Sequence, residues 1–305
     1  MLKTNLECMS QTISHICTAA VLVLCSFLIA GCNGEVRQAE NLRESLTFFA
    51  SYEESFSADF SLGDPNLYLT PSWNDRTENF EIFTDQEDFF QIHQGEGRYG
   101  NALWVDNSNR PVLFYRGEGN MAYSTRNWNG TVSFWMRVSP EDIPEGHSDP
   151  VQITASSWND GAFFVDFTRV DPRSFRFASF ADRSVWDPDE RDWDEVPEEE
   201  RLWFYVEKPP FHRDEWSHIA IVFRDYNTHQ ANGRMNGYIN GKKTGTLDGP
   251  EQTFTWDLNE LGIWVDYNFH GYLDELAIFD RDLSDEEIYQ LYSLENGIRG
   301  ILESQ

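Results

Sequence analysis

The stretch Phe269–Ile288, FHGYLDELAIFDRDLSDEEI, carries the two local signals that decide the fold. Its first half alternates between two rows of side chains, Leu273, Glu275, Ala277 and Phe279 in one row and Tyr272, Asp274, Leu276 and Ile278 in the other. Successive side chains of a strand point to opposite faces, and here both rows contain apolar residues. The pattern therefore predicts a strand whose far end is covered on both faces.

Two features of this stretch go beyond the strand itself. Asp274 is an acid in an otherwise inward-facing row, and a buried carboxylate is costly unless it is paired or bound to a metal. After the strand, Ser284 and Glu287 have the spacing of a capping box, and Ile288 begins an apolar stripe. The second half therefore predicts a short C-terminal helix.

The ending G-x-L-D-E-L-x-I-F-x-R-x-L-S-x-E-E-I resembles the closing strand and tail of laminin-G-like, concanavalin-A-like jelly-roll domains, which are bacterial relatives of the pentraxins and legume lectins. Four further stretches resemble strands of that fold in the same order: GRYGNALWV (97–105), GTVSFWMRV (130–138), DEWSHIAIVF (214–223) and NGYINGKKTG (236–245). The resemblance covers residues 46–297. It implies an all-β domain over residues 46–305, a two-sheet antiparallel jelly-roll β-sandwich with a short C-terminal helix. It does not fix a function, because this fold hosts binders, hydrolases and lyases alike.

The N-terminus has the character of a targeting segment. Residues 16–30 (ICTAAVLVLCSFLIA) form an apolar run that is shorter than the ~20 residues needed to span a bilayer. The small residues before Cys32 resemble the lipobox of bacterial lipoproteins, which implies a signal peptide over residues 1–31 and a lipid on Cys32. Residues 32–45 would then form a polar tether to the bacterial cell envelope, at the outer membrane or cell surface. The alternatives are an ordinary signal peptide or a short membrane anchor.

Charge and cysteine content narrow the partners. The formal net charge is −29, which argues against nucleic acid because phosphates require a basic surface. The same negative charge argues against attraction to anionic membrane surfaces, so membrane association would rest on the lipid. All four cysteines lie within residues 1–32, so the predicted domain has neither a disulfide nor a cysteine metal site. The many carboxylates favour Ca²⁺ binding, or alternatively a surface adapted to a saline habitat.

Asp59 and Asp274 are the candidate metal ligands. In the resembling domains an acid at the position of Asp59 often lies near a Ca²⁺ site, although this residue also suits a turn. The two residues are far apart in sequence, but the first and last strands of jelly rolls commonly lie side by side. The resemblance thus implies Ca²⁺ as a structural ion held by hard oxygen ligands.

The segment 185–201, VWDPDERDWDEVPEEER, packs nine acids, two prolines and two tryptophans into 17 residues. Such a composition predicts a solvated loop insertion or a ligand-binding loop. In the second case Trp186 and Trp193 would stack on sugar rings, and the acids would bind ring hydroxyls or Ca²⁺; these are Asp187, Asp189, Asp192 and Asp194. Trp135, on the outward row of strand 131–138, would line a sugar-binding face or be buried beneath a loop.

The sequence offers little support for catalysis. The E-x-D-x-x-E spacing of glucanases on this fold, G-x-S-x-G and H-E-x-x-H are all absent. A hydrolase would need carboxylates from different strands to converge, and a lyase would need a Tyr or His base beside an Arg or Lys. His218 is interpreted as structural. The leading hypothesis is a non-catalytic, lectin-like module that recognises glycan or another envelope component; the alternatives are a polysaccharide hydrolase or lyase, and a structural surface protein with no small ligand.

Overall fold

The computed structural model describes residues 39–106, 111–265 and 267–303, and confirms the two-sheet antiparallel β-sandwich. The first sheet contains β1 (Leu46–Ala50), β2 (Phe60–Ser61), β5 (Phe90–Gly97), β6 (Gly100–Asp106), β8 (Trp128–Arg137), β13 (Ser217–Tyr226), β14 (Arg234–Ile239), β15 (Lys242–Asp248) and β17 (His270–Phe279). The second contains β3 (Leu67–Thr70), β4 (Glu81–Ile82), β7 (Val112–Arg116), β9 (Ser148–Ser157), β10 (Asp160–Phe167), β11 (Phe175–Phe180), β12 (Trp203–Val206) and β16 (Gly262–Trp264).

Strands that are distant in sequence lie next to each other in both sheets. The first sheet has the order β15-β14-β13-β8-β17-β1-β2, with β6 and β5 joined to β17 as well. The second has the order β12-β11-β10-β9-β16-β7-β3-β4. The helices are short: α1 (39–45), α2 (Arg183–Trp186), α3 (Asp285–Ser293) and α4 (Gly297–Glu303).

The core lies between the inner faces of the two sheets. Phe134 and Ile221 of the first sheet and Phe163 and Phe177 of the second are at most 1% exposed. As the alternation in strand 131–138 predicts, Val132, Phe134, Met136 and Val138 all belong to this core. Burial of this apolar surface is the main stabilising contribution, since no cysteine occurs in the described residues.

The closing strand β17 departs from the predicted alternation at one point. It pairs with β8 on one side, and on the other side first with β6 and then with β1. Where the partner changes, the register shifts between Asp274 and Ala277, and Glu275 adopts a positive φ of 50°. This β-bulge inserts one extra residue, so Leu273 points into the core together with Leu276 and Ile278.

Beyond β17, Ser284 and Glu287 form the predicted capping box at the start of α3. The structure has a second helix, α4, after α3, whereas the sequence predicted a single C-terminal helix. The proposed signal peptide, and Cys32 within the proposed tether, lie outside the described residues. Among the helices of the described ranges, none has the length and apolar character needed to cross a bilayer.

Candidate functional site

The acidic segment 185–201 folds over the outer face of the second sheet and is held there by a buried acid. Asp187 is 0% exposed, and its carboxylate accepts hydrogen bonds from Arg191 Nε at 2.6 Å and from Arg183 at 3.4 Å. Both arginines are four residues away from Asp187, one on each side. Asp187 therefore stabilises the loop from within.

The two loop tryptophans are both half-buried and have different partners. Trp186 donates its indole N–H to the carbonyl of Asn159 at 2.9 Å and packs against Phe180, with ring centroids 5.1 Å apart. Trp193 contacts the exposed Trp158 at a centroid distance of 4.6 Å. Asp189 is exposed near α2. A direct role in ligand contact stays a prediction for each of these residues.

Trp193 belongs to a continuous row of four aromatic side chains, which we call the aromatic strip: Trp158, Trp193, Trp203 and Tyr205. Neighbouring ring centroids are 4.6, 5.3 and 6.0 Å apart along the row. Its two ends are open to solvent, with Trp158 38% and Tyr205 40% exposed. Neighbouring rings meet edge-on, at 82°, 67° and 67°, so the ring faces available to the C–H face of a sugar are those at the two exposed ends.

Charged side chains fix the rings of the strip in place. Glu198 accepts hydrogen bonds from the Trp203 indole N–H at 2.8 Å and from the Tyr205 hydroxyl at 2.6 Å. Partial burial opposes ionisation of Glu198, but these two hydrogen bonds together with the charges of Arg201 and Arg176 outweigh it and lower its pKa. The Arg201 guanidinium lies 4.5 Å above the Trp193 ring. The strip is thus ordered in the absence of ligand, which reduces the entropy lost on binding.

A group of buried charges lies directly beside the strip. Arg176 stacks on Trp203 at 4.2 Å and forms a two-pronged ion pair with Asp166, through Nε at 2.8 Å and a second, closer contact. His147 is 3.5 Å from the same carboxylate. Asp166 and Arg176 face each other on neighbouring strands of the second sheet.

Asp149 completes this group. The register of β9 shifts so that residues 149–150 stand opposite Asp166. Burial, reinforced by the charge of Asp166, raises the pKa of Asp149 well above its usual range. Its Oδ1 atom is shielded from water and has no hydrogen-bond partner among the described residues. We call Asp149 and Asp166 the acid pair; Asp149 is the member with the raised pKa, and Asp166 is the member that is ion-paired with Arg176.

Sequence reasoning did not select the acid pair or most of the strip. A signal was available, because Asp166 and Arg176 are the only charged residues in the strand-like segments 162–168 (AFFVDFT) and 174–180 (SFRFASF). Charges in such strands face each other only if the strands pair in register. That register depends on the whole sheet. The sequence could therefore mark each residue as unusual, but it could not predict that the two are in contact.

Two further residues that the sequence analysis discussed, Trp135 and His218, lie under helix α3 on the outer face of the first sheet. Trp135 is 3% exposed and stacks on Tyr292 with a centroid distance of 5.7 Å. His218 Nε2 shares a hydrogen bond of 2.8 Å with the Ser133 hydroxyl, and burial lowers the pKa of His218 to about 3. His218 is therefore neutral near pH 7, as its structural interpretation requires.

The candidate metal ligands lie where β1, β17 and α4 meet. Asp274 accepts hydrogen bonds at Oδ2 from the backbone N–H groups of Arg98 and Tyr99, at 2.7 and 3.3 Å. Its Oδ1 is buried without a partner among the described residues. Asp59 pairs with Arg299 at 3.1 Å and accepts from the Ser51 N–H at 2.8 Å.

Glu53 and Glu275 connect these two candidates electrostatically. Burial raises the pKa of Asp274 to about 7, and Glu53 contributes to the shift. Burial also raises the pKa of Glu275 to about 8, with contributions from Asp274, Asp59 and Glu53. Within the described ranges, however, no group of three or more His, Cys, Asp or Glu side chains is arranged to hold a metal ion.

The two packed antiparallel sheets define a jelly-roll β-sandwich protein. The family model of the concanavalin A-like lectin/glucanases superfamily matches residues 117–289, and the chain belongs to this superfamily. A search of curated protein sequences found no match.

Solved structures with the same fold include domain 4 of AbnA, an extracellular arabinanase from Geobacillus stearothermophilus, in complex with arabinotriose. It is 16% identical with a TM-score of 0.52, and the match covers 82% of this chain and 98% of that domain. The binding domain of botulinum neurotoxin DC in complex with rat synaptotagmin II has a TM-score of 0.55 at 12% identity over 82% of this chain. The match spans about half of that neurotoxin chain, 52%.

Proposed function

We propose that the protein is a lectin-like binding module that recognises a glycan through the aromatic strip. The observation that carries the proposal is the row of four ordered aromatic rings with exposed ends beside a set of polar and charged groups. The fold is compatible with this function, since the arabinanase domain was solved with an arabinose oligosaccharide bound. The chemistry favours a chain of several sugar units, because the rings form a row.

A glycan array followed by calorimetry on the best ligand tests this function. We expect Trp158→Ala to weaken binding at least about tenfold, because exposed aromatic anchors supply much of the energy of such interfaces. Tyr289→Ala is the matched control. Tyr289 is also an exposed aromatic residue, at 56%, but it lies on α3, which covers the first sheet rather than the second. Unchanged affinity in Trp158→Ala would place the glycan away from the aromatic strip, and an array without any ligand would favour the structural surface protein instead.

The second part of the proposal is the lipid anchor. Cleavage before Cys32 and lipidation of its thiol would tether the domain to the bacterial cell envelope through residues 32–45. This part rests on the sequence pattern alone. In a bacterial host, a palmitate analogue should label the full chain, and Cys32→Ser should remove the label and release the protein from the membrane fraction. A labelled, membrane-bound Cys32→Ser chain would contradict the anchor.

The third part is a structural Ca²⁺ ion at Asp274. The orphaned Oδ1 atom of this buried carboxylate suits a cation, and Ca²⁺ completes its six to eight ligands with backbone carbonyls and water. Asp59 would contribute only if it left Arg299. We expect CaCl₂, but not MgCl₂, to raise the melting temperature at pH 8, and Asp274→Asn to abolish the gain. An equal gain in Asp274→Asn would place the ion elsewhere.

The acid pair favours one alternative function, the polysaccharide hydrolase. Carboxylates from two neighbouring strands come together there; burial raises the pKa of Asp149, as a general acid requires, and Asp166 is paired with Arg176. Asp149 would donate the proton, and Asp166 would serve as the base or nucleophile. Reducing-sugar release from polysaccharides tests this alternative. Activity that is lost in both Asp149→Asn and Asp166→Asn, but kept in Asp189→Asn, would establish it over pure binding.

A further inference from the structure

A cavity of about 720 Å³ opens on the outer face of the first sheet, beside the start of α3. Its volume lies in the range of roughly 300–1,000 Å³ that is typical of small-ligand sites. The walls are polar, and the residues that matter here are Arg224, Arg234, Asn236, Lys243, Thr246 and Asp282. The cavity is lined by β13, β14 and β15 of the first sheet, whereas the aromatic strip belongs to the second.

Two arginines face each other in this cavity. Arg224 of β13 and Arg234 of β14 are directly opposite in the strand register. Like charges in such a cross-strand position are destabilising. Arg234 is balanced by Asp248, through bonds of 2.6 and 2.7 Å, and the nearby Lys243 by Asp285 at 2.9 Å.

Arg224 is less well satisfied. Its Nε–H is shielded from water and donates to no acceptor among the described residues. A buried donor without an acceptor is destabilising, and more so when it belongs to a charged group. A carboxylate that accepts from Nε and a terminal nitrogen together would satisfy it, because the guanidinium fork matches carboxylate geometry.

We propose that this cavity binds a carboxylate-bearing sugar unit, a hexuronate, with its carboxylate on Arg224. The cavity is much larger than a bare anion needs. Asn236 and Thr246, which already share a hydrogen bond of 2.7 Å, lie in the row next to the arginines and suit ring hydroxyls. The acids at the rim, such as Asp282, disfavour a multiply charged anion and accept from hydroxyl groups. The site is independent of the aromatic strip.

Saturation-transfer NMR with the full chain tests this site, with glucuronate and galacturonate as probes, glucose and galactose for comparison, and inorganic sulfate as a competitor against bound uronate. We expect the uronates to bind at least about tenfold more tightly than the neutral hexoses or sulfate. Arg224→Gln should weaken uronate binding at least tenfold, and Arg224→Lys should weaken it less. Arg169→Gln, an exposed arginine in the turn between β10 and β11, is the matched control.

Circular dichroism of each variant shows whether the fold is retained, and glycan binding at the aromatic strip should be unchanged in Arg224→Gln. Three results would overturn the site: no uronate binding by the wild type, full binding by a folded Arg224→Gln, or sulfate binding as tight as uronate binding. If Trp158→Ala did not affect glycan binding on the array, the proposed role of the aromatic strip would be contradicted, whereas the proposed uronate site would not be affected.

Discussion

Asp274 and Glu275 are adjacent carboxyl groups held almost fully out of water at the bulge of β17. Asp274 is satisfied at Oδ2 by two backbone N–H groups, and Glu275 accepts from the Ile298 N–H at 2.7 Å. Burial nevertheless dominates both, since their pKa values rise from 3.8 to about 7 and from 4.5 to about 8. A fold that keeps two neutral acids at one bulge becomes sensitive to pH there.

The sign of that sensitivity follows from proton binding. Between about pH 4 and 8 the folded chain holds protons that the unfolded chain has released. The free energy of unfolding therefore falls as pH rises, with a slope of up to about 1.4 kcal/mol per pH unit for each group. The favourable contribution is complete below pH 4 and is lost above the folded-state pKa values.

Asp274→Asn should remove one of the two slopes. The amide is neutral at every pH and its oxygen still accepts from Arg98 and Tyr99, so in metal-free buffer the variant should be more stable than the wild type at pH 8. Urea unfolding in EDTA from pH 5 to 8.5 measures this. Asp280→Asn, at an exposed position one residue beyond β17, should keep the wild-type slope. Parallel curves for wild type and Asp274→Asn would refute the raised pKa.

At the scale of single elements, the sequence predicted most of what local patterns encode. The capping box of α3, the core row of β8 and the strand β17 follow from spacing alone, and the structure contains all three. The bulge at Glu275 does not follow, because its positive φ is stabilised by contacts from α4 rather than by any local preference of glutamate. The acid pair and the Arg224 cavity likewise depend on strand register, which is a property of the assembled sheets.

The loop at 185–201 shows how one element prepares the proposed site. Asp187→Ala would leave Arg183 and Arg191 without their shared acceptor, so we expect a cost of about 1–3 kcal/mol and a loosened loop. Limited proteolysis should cut the variant faster within the loop, and glycan affinity should fall because Trp193 loses its support. Asp189→Ala, which changes an exposed neighbour, should behave as the wild type. Equal cleavage of both variants would remove Asp187 from this role.

The two sheets approach closely at one end through glycine. A Cβ added to Gly237 of β14 would lie 2.6 Å from the Phe177 ring of β11, and that ring stacks on Phe204 at 5.1 Å. Gly237→Ala should therefore destabilise the protein by about 1–3 kcal/mol, the usual cost of overpacking. Combining it with Phe177→Leu should cost less than the sum of the two single changes, as chemical denaturation can measure. If the two changes in the free energy of unfolding were simply additive, the sheets would not be tightly packed against each other at this point.

The whole molecule closes on itself without a covalent link. Phe49 of β1 pairs with Ala277 of β17, so segments from the two ends of the domain become neighbouring strands. All four cysteines lie in residues 1–32, so no disulfide supports this pairing within the domain. The cooperative core must therefore stabilise the fold of a chain that has 52 acidic and only 23 basic side chains.

That imbalance predicts a stability that depends on salt. At a formal net charge of −29 the acids repel one another, and the repulsion extends over about 10 Å at 0.1 M ionic strength but only about 3 Å at 1 M. Raising KCl from 10 mM to 1 M at pH 7 should therefore increase the melting temperature, by about 2–4 °C for each kcal/mol of relieved repulsion. Calorimetry at pH 4.4, the isoelectric point, is the control, because the net repulsion vanishes there. A melting temperature that does not respond to KCl at pH 7 would mean that local ion pairs, such as Arg234 with Asp248, already balance the acids on the folded surface.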